Sequence, residues 1–225
     1  MKSVSYAKLF YNQFELRETG SVKLKISPLS RIRPYDSLAT CGDFSDIVYS
    51  QDHVHFIVGD ISGHGLALVK KCADEVIAEF KRIVQSPLEE QYQQISQLSN
   101  IAKYGMNLCL GKFDRIQGSL SYLCIGHMHF ELLRNNNLQA LRVNQGIVGI
   151  LVDKPIRETK LRLLVGDRLM ICSDGIDRKA TLQALLQANL SANDCIEKIF
   201  QYSPAGNDDA ICVCFDLLAD ESNSK

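Results

Sequence analysis

The sequence predicts an α+β fold in which helices cover antiparallel sheets. Two observations carry this. Strand-like and helix-like segments are segregated along the chain rather than alternating, which argues against a doubly wound parallel sheet. After two long helical stretches the apolar period also changes from about 3.6 to 2 and stays there for several consecutive runs.

The elements follow in order. Ser21 to Ser27 alternates through Val22, Leu24 and Ile26 and reads as a strand. Asp46 to Ser50 and His53 to Gly59 flank the polar pair Gln51-Asp52 and predict a hairpin. From Leu66 to Val84 the residues Leu66, Val69, Cys72, Ala73, Val76, Phe80 and Ile83 recur at helical spacing. A second helix is expected from about Glu89 to Leu110, with Tyr92, Ile95, Leu98, Ala102, Met106 and Cys109 on its apolar face and Pro87 near its start. Strands are expected over Ser119 to Ile125, His127 to Arg134, Leu138 to Asn144, Leu161 to Val165 and Arg168 to Cys172. Asn135-Asn136-Asn137 suits a turn because Asn tolerates positive φ. Short helices from Thr181 to Ala188 and Ala192 to Tyr202 precede a last strand, Ala210 to Leu218.

The chain has 225 residues, 46% hydrophobic and 23% charged, with a net charge of −1. Nothing in that balance favours nucleic acid or an anionic membrane as partner. No apolar run approaches the roughly 20 residues of a membrane span, and the first residues lack the apolar core of a signal peptide. A cytoplasmic protein is therefore expected. The eight cysteines form no CxxC pair, so buried free thiols are expected rather than disulfides or a zinc site. No linker rich in Pro, Gly or Ser divides the chain. A single domain over 1–225 is expected, with an ordered core over about 22–218 and a disordered tail at 219–225. A monomer is expected over an oligomer.

The chemistry concentrates in four acidic turns, each beside an apolar strand-like run. They are Cys41-Gly42-Asp43-Phe44-Ser45-Asp46, Gly59-Asp60-Ile61-Ser62-Gly63-His64-Gly65, Ser173-Asp174-Gly175-Ile176-Asp177 and Gly206-Asn207-Asp208-Asp209. Each alone is an ordinary turn, since Asp and Gly are common there. Four at strand ends can converge on one edge of a sheet stack. Their mutual repulsion is then best relieved by one or two divalent cations, and an all-oxygen donor set favours magnesium or manganese over zinc. Two such ions about 3.5–4 Å apart would acidify a bridging water, and that hydroxide could attack phosphorus in line. The sequence holds no GxSxG elbow and no GxxxxGK[ST] loop.

In this order and at these separations, the four turns resemble the PPM-type metal-dependent serine/threonine protein phosphatases, and among them the bacterial SpoIIE-like branch. Gln145-Gly146-Ile147-Val148-Gly149-Ile150 is similar to that branch's glycine-containing turn between core strands. The resemblance implies a four-layer α-β-β-α sandwich with two stacked antiparallel sheets and two Mn²⁺ or Mg²⁺ ions. It implies that Asp60 bridges both ions and that the Ile61 carbonyl binds the second. Asp174 and Asp208 would complete the first ion's shell, with Asp209 the alternative to Asp208, and Asp43 would bind metal directly or through water. Gly63, Gly65 and Gly175 would leave room for water and the substrate phosphate. His64 is either a general acid for the leaving hydroxyl or a residue packed at the helix start.

The nearly bare catalytic architecture is similar to that of RsbX-type enzymes. That implies phosphorylated STAS-domain substrates of the RsbS and RsbR type in stressosome or general-stress signalling. The alternative is a catalytically silent module that binds a STAS or anti-sigma partner, because Cys41 and Ser45 stand where the branch has a glycine and an aromatic. Asp177-Arg178 also stands where many relatives carry a Glu. Arg31 and Arg33 are expected to be surface charges rather than phosphate ligands. His53 with His55, and His127 with His129, share sheet faces without the further partners a zinc site needs.

Overall fold

Two five-stranded antiparallel sheets lie face to face with helices on their outer sides. The computed structural model describes residues 23–35, 40–63, 67–151, 155–187, 190–203 and 208–220. The first sheet is built from β1 (Leu24–Arg33), β10 (Ala210–Ala219), β9 (Arg168–Cys172), β6 (His129–Arg134) and β7 (Asn137–Ala140), in that spatial order. The second runs β2 (Asp43–Tyr49), β3 (His53–Ile61), β4 (Met106–Asp114), β5 (Ser119–Ile125) and β8 (Thr159–Arg162). Helices α1 (Ala67–Ile83), α2 (Leu88–Ser96) and α3 (Ser99–Tyr104) follow β3, while α4 (Arg178–Leu185) and α5 (Ala192–Tyr202) lie between β9 and β10 in sequence. The expected four-layer α-β-β-α sandwich is therefore present.

Alternation along the strands produces three cores. Between the sheets, Val54, Phe56, Val58, Phe113 and Tyr122 meet Phe130, Leu169, Ile171, Val213 and Phe215. Phe56 and Phe113 of the second sheet close on Phe215 of the first with ring centroids 4.9 and 5.1 Å away, a spacing favourable for aromatic packing. On the outer face of the second sheet, Ile57, Ile61, Leu108 and Leu110 pack with Val69, Val76 and Phe80 of α1, Ile95 of α2 and Ile101 of α3. On the outer face of the first, Met170, Cys172, Cys212 and Cys214 pack with Ala184, Cys195, Ile196 and Ile199. The eight cysteines are all free thiols, and seven of them are buried.

Two expectations need correction. The second helix does not reach Leu110: it is broken into α2 and α3, and Gly105, at φ +74°, turns the chain into β4. Met106 to Gly111 is buried on both faces, between the inter-sheet core and the helices. A strand buried this way shows no alternation and is easily mistaken for helix. The second correction concerns Asp60. It stands inside a longer strand, paired with Asp43 on one side and Asn107 on the other, and not in a turn.

Other boundaries move by a few residues: β1 extends to Arg33, β7 ends at Ala140, and β8 spans Thr159–Arg162. Strand β10 continues through Ala219, one residue into the expected tail; 221–225 lie outside the described residues. Asn135 and Asn136 take φ of 49° and 60° in the turn before β7, as their residue type predicts.

Candidate metal centre

The hydrogen-bond register of the sheets brings the acidic residues to one end of the sandwich. Antiparallel pairing of β2 with β3 sets Asp43 directly opposite Asp60. Asp174 follows the end of β9, and Asp208 precedes β10, the strand paired with β9. The two sheets thus contribute two carboxylates each.

Asp43 is 3% exposed. Its Oδ2 accepts the Ser173 hydroxyl at 2.9 Å, while its Oδ1 is buried and has no hydrogen-bond partner. Burial, then the charge of Asp60, pushes the Asp43 carboxyl well above the ordinary range. Asp60 Oδ2 accepts from the Asn107 amide at 2.8 Å. Its carboxyl is pushed up to about 6, first by burial and then, against the Asn107 bond, by Asp174, Asp208 and Asp209. Asp174 is also raised, by burial and then by Asp208. Asp43, Asp60 and Asp174 are thus each raised in part by a neighbouring carboxylate, which marks a site of unbalanced negative charge.

The donor set fits a hard divalent cation. It consists of carboxylate oxygens, one of them buried and orphaned, beside a backbone carbonyl kept clear by a glycine. A Cβ at Gly42 would stand 2.6 Å from the Ile61 carbonyl oxygen and 3.0 Å from that of Gly63. Among the described residues, no group of three such side chains is already closed around one point as a chelate. The Asp residues are neighbours through charge and register, held by their own hydrogen bonds.

Asp209 stands apart from Asp208. It is 3% exposed, and its two oxygens accept the backbone N–H groups of Tyr35 at 2.6 Å and Gly42 at 2.7 Å. It thereby ties the loop before β2 to the start of β10. Asp208 is exposed, and one of its oxygens accepts the Asp209 N–H at 2.9 Å. Gly175 also has a packing reason: a Cβ there would lie 1.8 Å from the Asp209 carbonyl oxygen. Gly63 takes φ +108°, a conformation that favours glycine. His64 and Gly65 lie outside the described residues.

Apart from His127, the remaining candidates are engaged elsewhere. Arg31 pairs with Glu197, Arg33 donates to the Ser203 carbonyl at 2.7 Å, and both guanidinium groups lie over the Phe200 ring. His53 faces Asp114 at 3.7 Å, and His55 is buried. His127 is exposed, with Nδ1 3.9 Å from Asp174 Oδ2. Asp177 caps α4 by accepting the Lys179 N–H, and Arg178 donates to the buried Glu131. Asp46 pairs with Lys81 at 2.8 Å and is thereby drawn to α1.

Three residues near the centre were not singled out from the sequence. Ser173 and Gly42 were visible only as motif neighbours, and Asn107 was hidden in a segment read as helix.

Residues 50–217 match the family model of stage II sporulation protein E, SpoIIE. No match to a curated protein was found. Among solved structures, the chain is similar to one from work on the bacterial stressosome as a modular system adapted to control secondary messenger signalling. They share 23% identity, covering 85% of this chain and 99% of the other, with a TM-score of 0.74. RsbX in complex with magnesium is similar at 15% identity, covering 87% and 99%, with a TM-score of 0.74. The PP2C phosphatase domain of SpoIIE from Bacillus subtilis, solved with a fragment of its regulatory domain, is similar at 18% identity, covering 87% and 64%, with a TM-score of 0.73. At these identities the structures speak for the fold, and the match to the family model speaks for membership. The chain belongs to the SpoIIE family of PP2C-type serine/threonine phosphatases.

Proposed function

We propose that this chain is an Mg²⁺- or Mn²⁺-dependent phosphatase that removes phosphate from phosphoserine or phosphothreonine of a bacterial regulatory protein. The observation that carries this reading is the cross-strand pair Asp43 and Asp60, with a buried orphan oxygen, facing Asp174 and Asp208. Asp60, Asp174 and Asp208 would hold one ion, and Asp60 with the Ile61 carbonyl a second. Asp43 would bind directly or through water. Asp208 is preferred to Asp209 because both oxygens of Asp209 already accept backbone N–H groups.

When bound, the ions supply an acidified water and charge neutralisation for the phosphoryl group. The chain's own residues do the rest. Ser173 holds Asp43 by its Oδ2 and leaves the other oxygen free. Gly42 keeps bulk away from the Ile61 carbonyl. No protein nucleophile is assigned, and a proton donor for the leaving hydroxyl would come from His64 or from water.

The likeness to RsbX and to the stressosome-related chain supports phosphorylated STAS-domain proteins of the RsbS or RsbR type as substrates, in the cytoplasm, where eight free thiols persist. No helix among the described residues is long and apolar enough to cross a membrane. The test is hydrolysis of p-nitrophenyl phosphate and of a phosphoserine STAS protein with Mn²⁺. The wild type should turn over both, with the phosphoprotein preferred in kcat/KM. Asp60→Asn and Asp174→Asn should each lose at least 100-fold. Wild-type rates no higher than those of the variants would overturn the reading. Failure to bind Mn²⁺ in calorimetry would point to a silent binding module instead.

A further inference from the structure

We infer that Asn107 is a positioning residue for Asp60, and that the turn at Gly126 and His127 sets its orientation. The inference rests on the reading of Asp60 as a metal ligand and adds a residue that acts through it.

The geometry is directional. Asn107 pairs with Asp60 across β4 and β3, is 9% exposed, and lies at the site end of the second sheet. The backbone N–H of His127 reaches Asn107 Oδ1 at 3.0 Å. A backbone N–H can only donate, so the amide oxygen is committed to it and the NH₂ group is turned to Asp60. That NH₂ donates to Asp60 Oδ2 at 2.8 Å. One carboxylate oxygen is thereby held, the plane of the carboxylate is fixed, and Oδ1 is left free.

The turn is shaped for this contact. Gly126 takes φ +102°, and a Cβ there would lie 2.1 Å from Asn107 Oδ1. The turn is itself anchored, because Gly126 N–H donates to the Asn144 carbonyl at 2.9 Å and Asn144 returns to the Cys124 carbonyl at 2.7 Å. The orientation of Asp60 is thus set by a relay from Asn144 through the Gly126 turn to Asn107. Partners of this kind, which orient metal-binding carboxylates, typically change metal affinity or activity by about 10–100-fold when removed.

The experiment compares wild type, Asn107→Ala and Asn107→Leu. It measures Mn²⁺ affinity by calorimetry, kcat and KM on p-nitrophenyl phosphate at saturating metal, and metal-free melting. Leu fills most of the Asn volume, so a folding defect from an empty site is controlled. Both variants should bind Mn²⁺ about 10–100-fold more weakly and lose kcat by a similar factor. KM should stay within about twofold, and Asn107→Leu should melt near the wild type. A folded Asn107→Leu with Mn²⁺ affinity and kcat within twofold of a functional wild type would overturn the inference alone. A wild type that binds no Mn²⁺ and hydrolyses nothing would overturn the functional reading and this inference with it. If Asn107→Leu melts early yet keeps its Mn²⁺ affinity, Asn107 is structural and the inference falls.

Discussion

The Ser173 hydroxyl donates to Asp43 Oδ2 at 2.9 Å and accepts the Ile211 N–H at 3.0 Å, so one side chain ties a carboxylate of the second sheet to the backbone of the first. Both residues are buried, at 1% and 3% exposure. Ser173→Ala removes the Asp43 partner and strands a buried N–H. A loss of about 1–3 kcal/mol is expected in urea denaturation of the metal-free protein. Mn²⁺ affinity should fall as well, because Asp43 is then free to turn away.

Asp208 and Asp209 are adjacent in sequence and opposite in role. Asn at position 209 offers one acceptor where the native carboxylate serves two backbone donors, Tyr35 N–H and Gly42 N–H. The amide NH₂ would then face one of those donors. Asp209→Asn should therefore cost about 1.5–3 kcal/mol of stability. Asp208→Asn removes one charge from a repelling group and should leave the melting temperature unchanged or slightly higher, while Mn²⁺ binding is lost. Melting curves and calorimetry on the two variants give opposite patterns. The same pattern in both would contradict the assignment.

The parts that were legible and those that were not divide on physical grounds. Asp43, Asp60, Asp174 and Asp208 could be found because each lies beside an apolar run that ends at the same face of the sandwich. The α+β layering could be found because α1 and α5 carry clear apolar stripes at helical spacing. β4 could not: Met106 and Cys109 continue the helical spacing from Ala102, and a strand buried on both faces carries no alternation to contradict it. Asn107 was lost with β4. The distinction between Asp208 and Asp209 turns on a register of one residue and on the position of two distant N–H groups, at Tyr35 and Gly42. Neither is encoded locally.

Asp60 gives the metal-free protein a defined pH dependence. Its carboxyl is raised to about 6 from an ordinary value of 3.8, chiefly by burial. The folded state thus binds the extra proton between those limits. Its contribution to stability is present below 3.8 and is lost as pH rises through about 6. Asp60→Asn cancels this, so the variant's melting temperature should match the wild type near pH 4 and exceed it by pH 7. A shift of this size is of order 3 kcal/mol, or about 6–12 °C for a chain of this length. Mn²⁺ at pH 7 should stabilise the wild type and not the variant. A difference in melting temperature that stays flat from pH 4 to 7 would refute the shift.

His55 contributes with the opposite sign. It is 3% exposed on β3, beside Lys112 of β4, and neither ring nitrogen has a hydrogen-bond partner. Burial, then Lys112 and His53, lowers it from 6.5 to about 4. The ring is neutral when folded, whereas the unfolded chain takes up a proton below 6.5. Stability from this group is therefore full above 6.5 and is lost as pH falls towards 4. Leucine at this position faces the same apolar layer as Ile57 and leaves no polar atom unpaired. His55→Leu should stabilise the protein by about 1–3 kcal/mol at pH 7.5 and by more at pH 5, where the native histidine is penalised. Urea midpoints at the two pH values measure both effects. A variant less stable than the wild type at pH 7.5 would show that the ring nitrogens are satisfied by an enclosed water, and that the histidine is there for the hydrogen bonds it makes.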